Sequence, residues 1–378
     1  MNRPGYPGRR PSRLAFGEHL TVTGQALAAS APAGYVAVTR RNRFRTHHTN
    51  EAALKLASFQ ADGKDRIGYS PDGASLVDLA SAVALIGRSY DCPRTMIDLL
   101  EGGAPMWSLV QEAVEAASGK PEALVSFPLS AVVWHSPVRR PLKVCCLALN
   151  NSANADRIMK GPKTPAIFLK TASSLVGHGQ PIICKPSYGR AHPEPELAVV
   201  IGKRARNVKP EDGFAHVFGY TIMNDITSPT MRGEDTFHYR AIHPKGGDAN
   251  EIEYVDSWVS YSGRYKGADT FGCLGPWIVT KDEIPDPHDL DVSCHHQGRL
   301  ITEDNTANLF HKTADVVSFI SRYMTLDPGD VIAMGTALKK SAKGGAVQNV
   351  DLNKYGGPIS VTIEGIGTLS NPVTHEDD

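Results

Sequence analysis

The chain has 378 residues, 41% of them hydrophobic, enough for two domains or one large one with a sizeable core. Lys plus Arg and Asp plus Glu each number 40, so the formal charge is zero, no long-range field recruits a polyanion, and nucleic-acid binding is disfavoured. No segment approaches the ~18 apolar residues that span a bilayer, and the six cysteines show no C-x-x-C spacing, which argues against a disulfide framework and for a reducing compartment, the cytoplasm by default.

Residues 1–50 differ from the rest. They carry eight arginines, no lysine and one acid, Glu18, with a basic run RRNRFRTHH at 40–48. The segment reads as a flexible extension with a solvated basic arm; an arginine-rich, acid-poor organellar presequence has the same composition and stays open.

From residue 52 the punctuation becomes regular. KLASFQADGKDRIGYSPDGASLVDL has Asp-Gly turns at Asp62-Gly63 and Asp72-Gly73 between strand-like runs, which predicts a small antiparallel meander. Helical patterns follow near 93–101 and 104–118, the second ending at Gly119, so 52–135 reads as a small N-terminal α+β domain. After SPVRRP, strand-like runs recur near 166–170, 196–202, 217–223, 276–280, 331–334 and 359–363 with Gly or Pro between them. A single helix stands out there, with Thr313 as its cap and Val316, Val317, Ile320, Tyr323 and Met324 on one face. The fold class expected is therefore α+β and β-rich.

The acids carry the chemistry. In HPEPELAVVIGK, Glu194 and Glu196 share a face of an extended strand while Leu197–Ile201 continue as an apolar run, and two like charges side by side call for a positive partner. Asp225, in GYTIMNDITS, is the next acid inside an apolar strand. Three carboxylates in one place make a hard oxygen site suited to Mg²⁺, Mn²⁺ or Ca²⁺ and not to zinc, with roughly three of six octahedral positions left open for water or substrate. Taken alone, Glu-x-Glu also fits two solvated strand residues, and Asn-Asp also fits a turn.

The order of the blocks narrows this. PLKVCCLALN, PAIFLKTASSLVGHGQPI, HPEPELAVVIGKRARNV, GYTIMNDIT, KGADTFGCLGPWIVTKDEI, NTANLFHKTADVVSFISRYMTLDPGDVIAMGT and IEGIGTLSNPV resemble, in the same order, the fumarylacetoacetate hydrolase superfamily. The resemblance covers about 140–373, with a looser match from about 54 to 135. It implies a mixed β-roll core, a homodimer, a divalent cation, and 2-oxo or 1,3-diketo acids as substrates. By position it implies Glu194, Glu196 and Asp225 as metal ligands, Lys266 in KGADTF as the active-site lysine, and Gly335-Thr336 as the turn that binds a substrate carboxylate. Near a metal-bound enolate, Lys266 adds positive charge, and burial is expected to lower its pKa toward proton transfer.

Departures from the family bear on the reaction. Family hydrolases carry Asn-Tyr-x-x-His-x-x-Glu on a lid, the His and Glu activating water; here NNSANADRI keeps Asn150 but has Asn151, Asn154 and Arg157 at the other three positions. An amide does not take a proton from water near neutral pH. Pro229 stands where the family has Arg, Arg232 stands at the following Gln position and is a candidate substrate contact, and Pro195 between the glutamates favours a sheet edge. Between Asp225 and Lys266 lie 40 residues, an insertion near 228–264 that contains Gly246-Gly247. It reads either as a long loop acting as a lid and carrying a substitute base, His238 or His243, or as a dimer-contact or surface insertion. Three functions follow: hydrolytic C–C cleavage of an acylpyruvate type, placed first; tautomerisation, decarboxylation or dehydration without activated water; and a catalytically silent scaffold.

Overall fold

A computed structural model describes residues 54–152, 163–338 and 346–378; the extension 1–50, Asn154 and Arg157 lie outside the described residues. The meander forms as expected. Lys55–Ala61 and Lys64–Ser70 pair antiparallel, and the connecting Asp62 and Gly63 have φ of 50° and 70°, the left-handed backbone that lets a two-residue turn follow the strand twist. Thr95 and Asp98 make a reciprocal capping box that opens the helix Met96–Glu101, and Gly103–Ser118 follows. These helices bury Leu99, Leu100, Leu109 and Val110 together with Val200 and Ile278 of the core strands.

The core is a mixed sheet of twelve strands. Its central order is Lys55–Ala61, Gly272–Thr280, Val217–Asp225, Pro195–Ile201, Val331–Ala333, Val144–Ala148 and Ala166–Lys170. In this series only Val331–Ala333 and Val144–Ala148 run parallel. Pro195–Ile201 is buried at every position: Leu197, Val199 and Ile201 enter one apolar cluster, Ala198 and Val200 enter others, so neither face alternates with polar residues. A second, four-stranded sheet joins Arg299–Asn305, Asp291–His296, Ile359–Ile363 and Gly367–Asn371. The β-rich α+β class expected from the sequence is the one observed. Among the described residues no helix is long and apolar enough to cross a membrane, and the six cysteines are free, five of them buried as small apolar side chains.

Three local expectations are corrected. Pro195 is not at an edge; its strand has partners on both sides, and Pro195 is its first residue, opposite Asn224, where the missing N–H breaks no interior ladder bond. The insertion is not a loop: Thr236–Lys245 and Asp248–Ser260 form a two-stranded ribbon turned at Gly246-Gly247, whose φ values of 57° and 85° make it a tight hairpin tip. Thr313 is not the cap of its helix but the first residue within Thr313–Tyr323. Val316, Val317 and Ile320 are buried as expected, while Tyr323 is 72% exposed because it falls at the last turn, beyond the packed stripe.

His288 caps that helix instead, its Nε2 accepting the Thr313 backbone N–H at 3.0 Å. Only an unprotonated nitrogen accepts, and burial holds the His288 pKa below its ordinary value. Below the unfolded-state value, about 6.5, the unfolded chain binds a proton that the folded chain resists, so stability falls as the pH drops through that value. His288→Gln keeps an acceptor that does not titrate. It is expected to remove about 1 kcal/mol of the stability lost between about pH 7.5 and about pH 5.5. Denaturant melts at both pH values check this, and equal losses in the two proteins rule it out.

Candidate metal centre

Register assembles the three acids. Glu194 lies just before the strand Pro195–Ile201 and its carbonyl accepts the Asp225 N–H at 2.9 Å, while Glu196 pairs with Met223. Opposed residues of an antiparallel pair point to one face, as do residues two apart on a strand. Glu194, Glu196 and Asp225 therefore converge, one oxygen from each lying within 4.8 Å of the others. Asn224 secures the junction by accepting the Glu194 N–H on Oδ1 at 3.0 Å. Asp225 and Glu196 are buried and the Glu194 side chain is 17% exposed, so the cluster opens on the Glu194 side.

Two ammonium groups answer the acids. Lys266, buried in the short helix Gly263–Gly267, donates to Glu194 Oε2 at 2.7 Å and to Asp225 Oδ2 at 2.6 Å. Lys170, the last residue of Ala166–Lys170, donates to the other Asp225 oxygen, Oδ1, at 2.6 Å and to the Lys266 carbonyl. The Gly335-Thr336 turn closes the opposite side. The Gly335 N–H donates to Glu196 Oε2 at 2.9 Å, and the Thr336 hydroxyl lies 3.0 Å from Glu196 Oε1 and 3.1 Å from Glu194 Oε2. Gly335 has φ 102°, and a Cβ there would come within 2.8 Å of the Asn150 Cβ, so the turn requires glycine.

The charges are unequal. Three carboxylates face two lysines, and burial pushes the Glu196 carboxyl well above its ordinary range, the charges of Asp225 and Glu194 adding to that. Burial raises Asp225 as well, but Lys170 and Lys266 outweigh it and hold Asp225 below its usual value. For Lys266 the expectation is reversed. Burial does pull its pKa down, yet Asp225 and Glu194 overcome that and hold it above the ordinary lysine value, so Lys266 is a fixed positive charge. The residues fit a divalent cation: three hard oxygen donors, and a buried Glu196 with no lysine bonded to it.

The other predicted residues lie elsewhere. Arg232 is exposed on the helix Pro229–Glu234. His238 is in the ribbon, stacked on Trp258 at 4.3 Å between ring centroids, and His243 is opposite Glu253. Among the described residues none of the three makes a hydrogen bond or ion pair to the acids. Lys170 was missed at the level of sequence; its signal was a charged residue closing the apolar run AIFL, since a lysine carried inside is nearly always paired.

A mixed β core that gathers three acids and two lysines at one strand end has the oxygen donors of a candidate divalent-cation site. The chain belongs to the fumarylacetoacetate hydrolase family, whose C-terminal family description matches residues 143–374. It is 32% identical to a mitochondrial oxaloacetate tautomerase of Rattus norvegicus over 330 residues, 85% of this chain and 91% of that one. Among solved structures it resembles the maleylpyruvate hydrolase of Sphingobium sp. SYK-6 in complex with manganese(II) and pyruvate, with TM-score 0.60 and 28% identity over 85% of this chain and 99% of that one. It also resembles the fumarylacetoacetate hydrolase of Exiguobacterium antarcticum, with TM-score 0.65 and 27% identity over 86% of this chain and 100% of that one. The chain is an enzyme of this hydrolase and isomerase family.

Proposed function

We propose that the chain is a divalent-metal-dependent tautomerase that interconverts the enol and keto forms of a small 2-oxo acid of the oxaloacetate type. The sequence carries the choice: where family hydrolases have the water-activating His and Glu, this chain has Asn154 and Arg157. Tautomerisation needs no activated water. The enol loses its O–H proton, C3 gains one, and the intermediate is an enolate with a full negative charge to be stabilised. The rat relative's name supports the same reading.

Glu194, Glu196 and Asp225 are the proposed ligands of Mg²⁺ or Mn²⁺, with Ca²⁺ also compatible with their oxygens. When bound, the cation supplies a Lewis acid for the enolate oxygen. Lys266, bonded to two of the ligands, is the proposed second positive charge near that oxygen. The Gly335-Thr336 turn is the proposed contact of the substrate carboxylate, which would take over donors now bonded to Glu196 and Glu194. Hydrolytic C–C cleavage, supported by the likeness to maleylpyruvate hydrolase, is the second reading.

Incubation of the Mg²⁺- or Mn²⁺-loaded protein with enol-oxaloacetate and with an acylpyruvate separates these. Faster loss of enol absorbance without pyruvate release is expected; pyruvate from the acylpyruvate establishes hydrolysis, and no turnover of either leaves a silent scaffold. The family resemblance leads us to propose a homodimer as well. The ribbon side chains Phe237, Ile242, Tyr254 and Trp258, each at least 53% exposed, support it as apolar surface in need of cover. The mitochondrial relative supports an organellar address beside the cytoplasmic one expected from the thiols.

A further inference from the structure

Two adjacent asparagines follow the strand Val144–Ala148 and hold the Gly335-Thr336 turn from either side. Asn150 donates from Nδ2 to the Met334 carbonyl at 2.7 Å and accepts the His311 N–H on Oδ1 at 2.7 Å. Asn151 donates from Nδ2 to the Thr336 carbonyl and to Asp304 Oδ2, both at 3.0 Å. An amide NH₂ has two protons, and these two bonds use both. Asp304 is buried and widely engaged: Oδ2 also accepts the Leu338 N–H at 2.9 Å, and Oδ1 accepts the Asn305 N–H at 2.8 Å and Asn308 Nδ2 at 2.6 Å. Asn151 and Asp304 thus grip the chain at Thr336 and at Leu338. The intervening Ala337 donates its N–H to the Pro195 carbonyl at 2.9 Å, which ties this frame to the strand bearing Glu196.

We propose that Asn151 and Asp304 are a positioning pair that holds Thr336 with its hydroxyl against Glu194 and Glu196. The proposal rests on the reading of that centre as a cation and oxo-acid site. It gives Asn151, which stands where the resemblance calls for a lid tyrosine, a role in the frame and not in proton transfer. Asp304 lies 153 residues away from Asn151 and is joined to the Thr336 segment through it and through the Leu338 N–H.

The test uses the full chain with Asn151→Ala, Asn151→Asp, Thr336→Val and the two double variants. Asn151→Asp keeps the shape but sets an acceptor against Asp304. Binding of oxalate to the Mn²⁺-loaded protein is measured by calorimetry and binding of Mn²⁺ alone by electron paramagnetic resonance. Amide hydrogen exchange is followed across residues 334–338 of the metal-free protein. Both single Asn151 variants are expected to weaken oxalate about tenfold and to speed exchange in that segment, and to lose that oxalate effect in the Thr336→Val background. Equal oxalate losses in both backgrounds, a normal Asn151→Asp, or unchanged exchange overturns the pair. Failure of the parent protein to bind Mn²⁺ overturns the reading of the centre instead, and exchange alone then decides the pair.

Discussion

Asp225→Ala is expected to abolish divalent-cation binding and to lower the free energy of unfolding by roughly 3–5 kcal/mol. The size follows from what remains. Asp225 is fully buried and accepts from Lys170 on one oxygen and Lys266 on the other, both at 2.6 Å, and both lysines are themselves buried. Removing the acid leaves two desolvated ammonium groups, of which only Lys266 keeps another carboxylate, Glu194. The cluster of three as a whole contributes much less than this, since all three charges lose hydration on folding; breaking it is what costs. Asp225→Asn retains the shape and a dipole and falls between the parent and the alanine variant. Urea unfolding and Mn²⁺ titration check both, and an alanine variant with parental stability removes the buried-charge argument.

Lys266→Met is expected to lower turnover by about 10²–10³ while Mn²⁺ binding is retained or tightened. The two effects diverge because Lys266 has two relations to the same carboxylates. It bonds Glu194 Oε2 and Asp225 Oδ2, oxygens that a cation also needs, so its positive charge opposes metal entry. During the reaction that charge sits where the enolate develops. Methionine preserves the length and the packing over Phe168, above whose ring Lys266 Nζ lies at 4.8 Å. Steady-state rates and Mn²⁺ affinities on one preparation decide the matter. Parental turnover combined with weaker metal binding assigns Lys266 to scaffolding and removes it from the chemistry. Lys170 gives the contrast: among the described residues it bonds only Asp225 and the Lys266 carbonyl, so its loss is felt first in stability.

The ribbon shows how one observation can fit two backbone conformations. Gly246-Gly247 invites a mobile lid when read as two flexible residues, yet it joins Thr236–Lys245 to Asp248–Ser260 in register, Ile242 opposite Tyr254 and His238 opposite Trp258. A Gly-Gly pair flanked by β-branched and aromatic residues is a hairpin signal in its own right. Length alone leaves the choice open, because an insertion long enough for a loop is also long enough for two strands.

The sequence by itself determined what depends on the backbone period and on local turn chemistry. Alternate residues of any extended strand share a face, so Glu194 and Glu196 were paired before any fold was known, and Asp62-Gly63 marked its own hairpin. The order of its blocks carried the family and the acid trio. Only the tertiary structure decided which distant groups meet: Asp225 opposite Glu194, Lys170 on Asp225 across 55 residues, Thr336 on Glu194 across 142, and His288 on the helix at Thr313. It also decided the sign of the Lys266 shift, where the nearness of two carboxylates outweighs burial. The reason is that periodicity belongs to each strand alone, whereas register and charge balance are set by the summed packing of many strands, and no spacing along the chain reports that sum.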